Sequence, residues 1–525
     1  MKKAAAFAVL FAIFCVSFSS AETTVTPYGG AGIVSGSCFL LEADGKKIII
    51  DCGIFMETGA GEGNHDSQNF YMPEELINAD ALILTHAHLD HSGRIPLLIN
   101  KGFKGNIYST QATKELALLL FRERNGLDLI ERKWFWSQSQ RNKSVDSGKS
   151  AVIHWTDNCR RNIKSAGESA KIMPLSEIEK KEGASFRLCK ECSAKEAEGI
   201  EKFFITKEYG EETPFPETSS SDTVKFKFIN AAHIPGSASV LFEINDRKIL
   251  FSGDLGSGYS KLTGMFDVPE KADIIFTEST YAEKKEKFSK KGFKVFHKDL
   301  SDALSKGKIV WIPALSLNRT QKVLYELKLM QDSKELSKEI PIYSVSPSAN
   351  AVTIAYQKEL DKKSGNWFVE DVYKNGTIMP ENAKLQPVRR YDTQMILFSS
   401  SGDMDKGMSA GLVSKLVPED GVFIMSVNYV SPSSNAGKLL SGKNIDGLKT
   451  HAKIKKYEIF SDHPDFDMLK KWFANQDKTA KIFLTHSDEK SSSAALKSFK
   501  RSGYKNVFRP QAEEKIDCEI LNGAL

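Results

Sequence analysis

The run Thr85-His86-Ala87-His88-Leu89-Asp90-His91-Ser92-Gly93 puts four strong metal ligands within six positions. The chain holds only ten histidines in 525 residues, so three of them this close are not a chance cluster. In a loop, His86 and His88 can aim at one ion while Asp90 and His91 aim at a second. Imidazole nitrogen and carboxylate oxygen suit zinc better than calcium or magnesium. The bland alternative is a polar surface turn. Two further segments carry candidate ligands: Ala231-Ala232-His233-Ile234-Pro235-Gly236-Ser237 and Phe251-Ser252-Gly253-Asp254-Leu255-Gly256. Alone, the first reads as a structural histidine before a Pro-Gly turn and the second as an ordinary Gly-Asp loop.

Chemistry of this kind needs elements that end where the ligands begin. Ala81 to Thr85 is an apolar strand that stops at the histidine cluster, and Arg94 to Asn100 reads as a helix start. Ser37 to Glu42 and Lys47 to Asp51 flank an Asp-Gly turn signal at Asp44-Gly45, which predicts a β-hairpin. Val224 to Asn230 alternates apolar and polar residues, as a half-buried strand does. Ser239 to Ile244, Lys248 to Phe251 and Ala272 to Phe276 are further strands. From about Lys285 to Lys449 the pattern changes to alternating helices and strands, the signature of a parallel sheet. Within it, Arg319 to Met330 reads as an amphipathic helix. After Lys449 the chain returns to strand, histidine loop, helix, strand and histidine loop. One domain interrupted by an inserted α/β domain is the expected organisation, without internal repeats.

The first cluster resembles the HxHxDH motif of the metallo-β-lactamase superfamily. Asp51, closing Ile48-Ile49-Ile50, resembles that family's first motif, His233 its third and Asp254 its fourth. The resemblance implies an α/β fold, a metallo-β-lactamase αββα sandwich with an inserted α/β β-CASP domain. The divisions are residues 22–284, the insert 285–449, and a return segment 450–525. It implies two zincs per chain. His86, His88 and His233 would hold the first; Asp90, His91 and a later histidine the second; Asp254 would bridge them and Asp51 orient a ligand. Two zincs about 3.5–4 Å apart acidify a shared water and brace a displacement at phosphorus.

Later segments resemble the β-CASP group. Phe276-Thr277-Glu278-Ser279-Thr280-Tyr281 is similar to its acidic motif, and Phe460-Ser461-Asp462-His463-Pro464-Asp465 to its Ser-x-His-x-Asp loop. Leu484-Thr485-His486-Ser487-Asp488-Glu489 resembles the third motif, whose histidine completes the second zinc. Ile312 to Gln321 resembles a helix entry carrying Arg319, and Ser399-Ser400-Ser401-Gly402-Asp403-Met404 a Ser-x-Gly-Met loop. The likeness spans nearly the whole chain after residue 21. It is closest to the mRNA 3′-end cleavage endonucleases and their prokaryotic relatives, some of which are also exonucleases. It implies a ribonuclease acting on RNA, with Asp90, His463 and Glu278 catalytic: His463 as general acid near the leaving oxygen, Glu278 holding it or a metal ligand. Arg319 and the loop Ser399, Ser400, Ser401 and Gly402 would contact substrate phosphates in the cleft between the two domains. A homodimer is allowed for. Two segments depart from the pattern. His486-Ser487-Asp488-Glu489 replaces His-Gly-Glu, and Asn428 to Lys438 replaces a Gly-Tyr segment ending in arginine.

The remaining composition sets limits. Lys2 and Lys3, the apolar run Ala4 to Phe18 and Ser19-Ser20-Ala21 read as a cleaved secretory signal, residues 1–21, with an uncleaved anchor as the alternative. The run is shorter than the roughly 20 residues that span a bilayer, and no later segment is long and apolar enough. The expected location is therefore periplasmic or secreted. Loss of the two signal lysines takes the formal charge from +5 to +3, too small a basic excess to indicate nucleic acid by itself. Cys38 and Cys52 lie in apolar runs and are expected as buried free thiols. The segment from about Phe121 to Cys192 looks expanded. It carries the basic aromatic run Arg132-Lys133-Trp134-Phe135-Trp136, read as a lid helix or a base-stacking patch. His154, Cys159, Cys189 and Cys192 suit either a zinc knob or a disulfide. The competing functions are an exported di-zinc esterase on a small molecule and a non-catalytic nucleic-acid-binding module.

Overall fold

The structure is a computed structural model. It describes residues 22–56, 66–122, 199–215, 224–282, 290–362, 367–445 apart from 389 and 392, and 447–518, with short strand pieces between 150 and 186. The signal segment, the run 132–136 and the group His154, Cys159, Cys189 and Cys192 lie outside the described residues.

The predicted hairpin forms. Cys38–Ala43 pairs antiparallel with Lys46–Ile50, Leu41 facing Ile48. Asp44 and Gly45 both take positive φ at its turn, as a two-residue connection with the right twist requires. From Lys46–Ile50 the sheet grows by parallel addition of Ala81–Ile83, Asn106–Ser109 and Phe204–Thr206. On the other side stand Thr24–Gly29 and Ile516–Asp517, which makes seven strands. A second seven-stranded sheet begins with Thr213–Pro214, Val224–Asn230, Ala238–Ile244 and Arg247–Phe251, all antiparallel. It continues in parallel through Ile274–Glu278, Lys481–Thr485 and Asn506–Phe508.

The sheets face each other across one apolar layer. Phe39 meets Phe251 and Phe276 at 5.8 and 6.0 Å, and Tyr108 meets Phe226 at 5.3 Å. The outer face of the first sheet is covered by the helices Ile95–Lys101 and Gln111–Arg122. Phe466–Trp472 and Glu489–Arg501 cover that of the second. This is the αββα sandwich expected from the sequence. No described helix is long and apolar enough to cross a membrane.

The insert leaves and re-enters through neighbours. The chain leaves after Ile274–Glu278 and returns through the loop at His463, whose Nδ1 is 2.9 Å from Glu278 Oε2, so both junctions lie at the sheet end that carries the ligand loops. Its own six-stranded sheet includes Ile309–Pro313, Ile342–Ser344, Met395–Ser399 and Val422–Ser426. That sheet also takes in Lys453–Lys456, paired with Val422–Ser426, so the insert runs past the expected boundary at 449. The helix Arg319–Asp332 is also not amphipathic in the expected sense. Val323, Leu324, Leu327 and Met330 pack into the insert core, while Tyr325 and Leu329 join the apolar cluster that runs from Tyr356 and Phe368 of the insert into the metal domain. A helix between two bodies is buried on both faces, which leaves no solvent stripe.

Backbone bonds stitch the ligand loop to the first hairpin and the residues that follow it. Ser37 N donates to Asp90 O (2.9 Å), Cys52 N to His91 O (2.7 Å) and Ile54 N to Leu89 O (2.9 Å). The approach is so close that a Cβ at Gly53 would stand 1.6 Å from Asp90 O. Gly411, in the helix Gly407–Leu416, has open space instead. Gly53→Ala is therefore expected to lower unfolding free energy by about 3 kcal/mol. Gly411→Ala should raise it by about 0.5–1 kcal/mol. Urea titration of both variants checks this, and equal stabilities would show that the loop has slack.

Candidate metal centre

Each ligand sits where a strand stops. His86, His88, Asp90 and His91 follow Ala81–Ile83, Asp254 follows Arg247–Phe251, and His486 follows Lys481–Thr485. His233 lies in the loop between Val224–Asn230 and Ala238–Ile244. Asp51 and His486 take positive φ, 60° and 50°, a conformation that ordinary side chains rarely adopt. Local strain of this kind persists only where surrounding bonds impose it.

The donor atoms converge in two sets. His86 Nε2 and His233 Nε2 each lie 3.1 Å from His88 Nδ1 and 3.6 Å from Asp254 Oδ2. Tetrahedral zinc with nitrogen at about 2.0–2.1 Å requires ligand separations of about 3.3–3.4 Å, and these edges match. In the second set, His91 Nε2 is 3.2 Å and His486 Nδ1 3.5 Å from Asp254 Oδ1, and His486 Nε2 is 3.4 Å from Asp90 Oδ2. Asp254 thus turns one oxygen to each set. Asp254 Oδ1, His91 Nε2 and His486 Nε2 are buried without a hydrogen-bond partner. Buried polar atoms left bare in this way are what a bound cation would satisfy. Burial pushes His86 well below its ordinary pKa and takes His233 down to about 3, which keeps both rings neutral, the form that ligates. The residues present fit a metal pair.

The remaining nitrogens are held from behind. His91 Nδ1 donates to Asp51 Oδ2 at 2.7 Å. Asp51 also accepts from Thr85 N (2.8 Å) and Thr85 Oγ1 (2.9 Å), and His86 Nδ1 in turn meets Thr85 Oγ1 at 3.1 Å. Thr280 Oγ1 donates to Glu278 Oε2 (2.8 Å) and lies 3.1 Å from His486 Nδ1. His233 Nδ1 faces the backbone oxygen of Asp462 at 3.2 Å. Bonds of this type fix tautomer and ring orientation.

Glu278 and His463 form a pair at the rim. Nδ1 of His463 donates to Glu278 Oε2 at 2.9 Å, and Glu278 Oε1 accepts from Leu255 N at 2.6 Å, beside the bridging Asp254. Burial disfavours the charged ring, but Glu278 overrides it and lifts His463 to about 9. Asp254, His463 and His486 are also close enough to share an ion. The bond to Glu278 commits the Nδ1 of His463, so we place it outside the ligand set. The centre opens past Asp90 and His463, whose side chains are 14% and 17% exposed, with His88 also partly exposed, while those of His86, His91, His233, Asp254 and His486 are 5% or less.

Two substrate-binding expectations fall on residues that already have partners within the chain. Arg319 is buried and committed: it donates to Asp462 Oδ2 at 2.9 Å and to the backbone oxygen of Val427. Ser399 is turned into the insert, accepting from Trp311 Nε1 and facing Ser409 Oγ, both at 2.8 Å. The amides of Ser400 and Ser401 are already bonded to Ser346 Oγ (2.7 Å) and Lys406 O (3.2 Å), and Gly402 backs onto Asn428. The loop braces the insert, with the amides of Ser400 and Ser401 engaged within the chain.

Sequence reasoning passed over Asp462. Its Oδ1 accepts from Lys322 Nζ (2.6 Å) and Asn318 Nδ2 (2.9 Å), its Oδ2 from Arg319, and Asn318 Nδ2 also reaches His233 O at 3.2 Å. Burial opposes its charge, yet Lys322 and Arg319 hold its carboxyl far below the carboxylate range. The available signal was its place beside His463, with Lys322 one helical turn beyond Arg319.

Removing one member of a buried ion group strands the others. Asp462→Ala should lower unfolding free energy by about 3–5 kcal/mol. Adding Lys322→Met should recover part of that loss. Urea unfolding of the single and double variants measures the coupling, and strictly additive losses would show there is none.

Three family descriptions match the chain in order. The metallo-beta-lactamase superfamily covers residues 31–142, the Beta-Casp domain 320–439, and the Zn-dependent metallo-hydrolase RNA specificity domain 447–510. A ribonuclease of Thermus thermophilus is 27% identical over 334 residues, covering 64% of this chain and 61% of that protein. A transcription termination factor of Methanosarcina mazei is 25% identical over 497 residues, covering 89% of this chain and 67% of that one. An RNase J-like protein of Methanocaldococcus jannaschii is 24% identical over 472 residues, covering 88% and 91%. The chain therefore spans less than two thirds of the length of the first of these relatives.

Proposed function

We propose that this chain, which carries the domain set of the β-CASP group of the metallo-β-lactamase superfamily, is a metal-dependent nuclease that hydrolyses RNA phosphodiester bonds. The observation that carries this reading is the pair of donor sets sharing Asp254, with a Glu278-held imidazole at the opening. The ribonuclease and RNase J-like relatives, and the RNA specificity domain, support RNA as the polymer.

The metals we propose are two zincs. His86, His88 and His233 would hold one, Asp90, His91 and His486 the other, and Asp254 both. When bound, they would acidify a water and neutralise charge developing at phosphorus. The chain supplies the proton transfers. Asp90 borders the opening, placed to accept a proton as the water oxygen bonds to phosphorus. His463 has Nδ1 committed to Glu278, which leaves Nε2 to protonate the leaving oxygen as its bond to phosphorus breaks. Glu278 fixes that tautomer and ring direction.

Elemental analysis should find two zincs in the purified protein, two in His463→Ala, and about one in His486→Ala. His463→Ala should cleave RNA roughly 10²–10⁴-fold more slowly. Activity is read on end-labelled and circular RNA, with chelator abolishing it. Metal loss in His463→Ala but not in His486→Ala would reverse the two roles, and inert RNA beside an active simple ester would sink the nuclease reading.

We also propose export with removal of residues 1–21, supported by Lys2, Lys3, the apolar run Ala4 to Phe18 and the small residues Ser19-Ser20-Ala21. Intact-mass spectrometry of natively expressed protein should place the first residue near Glu22. A mass that still includes Lys2 and Lys3 would overturn export by cleavage.

A further inference from the structure

Tyr429 keeps 52% of its surface exposed, although the residues before it are among the most firmly held in the insert. Asn428 is 4% exposed; its Nδ2 donates to Pro313 O at 2.7 Å and its Oδ1 accepts from Leu315 N at 3.1 Å. Val427 O accepts from Arg319, and a Cβ at Gly402 would come within 2.3 Å of Asn428 Nδ2. A rigid backbone under an exposed ring is preorganised for contact, because little freedom remains to be lost on binding. Leu315, on the turn bonded to Asn428, is 45% exposed and extends the apolar surface.

The position of the ring is informative. The Lys456 ammonium stands 6.0 Å from its centroid and pairs with Glu458 at 3.3 Å. Val427, two residues before Tyr429, accepts from Arg319, which also donates to Asp462, the neighbour of His463. Tyr281 packs edge-on against the same His463 at 5.6 Å. The segment that carries the ring is therefore tied to the side of the centre where the proton donor stands, the side from which the leaving strand departs.

We infer that Tyr429 is a stacking platform for an unpaired nucleobase on the leaving-group side of the scissile phosphate, with Lys456 beside the substrate backbone. The inference rests on the nuclease reading. An aromatic face with an adjacent cation is what single-stranded nucleic acid requires, and stacking tolerates any base. A duplex would hide its base faces and leave the platform unused.

The test uses the full protein with Tyr429→Ala and Tyr429→Trp. Substrates are an RNA oligonucleotide, the same oligonucleotide with an abasic nucleotide in place of the one that carries the leaving oxygen, and bis(p-nitrophenyl) phosphate. Tyr429→Ala should lower kcat/KM on the oligonucleotide roughly 5–100-fold, mostly through KM. The loss on the simple diester should be far smaller, and Tyr429→Trp should retain oligonucleotide cleavage. The abasic substrate should cost the wild type a similar factor and cost Tyr429→Ala nothing further. An abasic penalty of the same size in Tyr429→Ala, or equal losses on both substrates, overturns the platform while leaving the nuclease intact. A wild type that hydrolyses the diester but no RNA overturns both.

Discussion

Seven side chains turn donor atoms toward one another in a largely buried pocket, and a bound cation is what would satisfy all of them together. Two neutral imidazole nitrogens 3.1 Å from a third repel unless a proton or a cation lies between them. Asp254 adds a carboxylate whose two oxygens serve two such groups. The fold around this point is arranged to hold the repulsion in place. Parallel strands of both sheets end there, and the hairpin backbone clamps the histidine loop from below. The positive φ of Asp51 and His486 is part of the same constraint: the chain must turn sharply enough to bring each side chain back over its own strand end.

Holding ligands in register takes a second layer of bonds, and here that layer joins the two domains. Asp51 and Thr85 serve the first hairpin and its loop; Glu278 and Thr280 serve the strand that leads into the insert. Asp462 serves both bodies at once. Its backbone oxygen meets a metal-ligand candidate, and its carboxylate takes three donors from the start of the insert helix. The orientation of the insert and the orientation of His233 are thus set by the same residue. Replacing such a group by apolar side chains is often tolerated for stability, so its value lies in specifying one arrangement of the parts.

What the sequence revealed and what it hid divide along physical lines. The ligand set was legible because each member stands at the end of an apolar strand, a local pattern that needs no knowledge of partners. The sandwich followed from the same strands, and the insert from the change of period after Lys285. The role of Arg319 was not legible, because an arginine at a helix start looks free until the acid that claims it arrives from a loop 143 positions away. Ser399 misled for a similar reason: its hydroxyl faces Trp311, across a neighbouring strand. A strand was expected after Lys449 and Lys453–Lys456 is there, but Lys-Ile-Lys-Lys at a sheet edge carries nothing that says which sheet it joins.

The junction between the bodies also bears on how a polymer reaches the centre. The contacts that Asp462 makes are ionic and hydrogen-bonded, and Lys261 to Glu326 adds another ion pair across the same boundary at 2.6 Å. Truncating a buried charge strands its partners in a dry site, whereas parting the two faces lets water solvate both at once. A polar boundary is therefore intolerant of substitution but easier to separate than an apolar one of equal area. Boundaries of this kind resemble transient interfaces and permit relative motion of the domains. The opening past Asp90 and His463 lies beside this boundary. The chain enters the insert after Glu278 and leaves it before His463, which bonds Glu278, so both crossings lie together and the insert can swing about that point. The bonds that align the insert in the closed arrangement are then the ones that water can replace when it opens, and a long strand can enter sideways instead of threading an end.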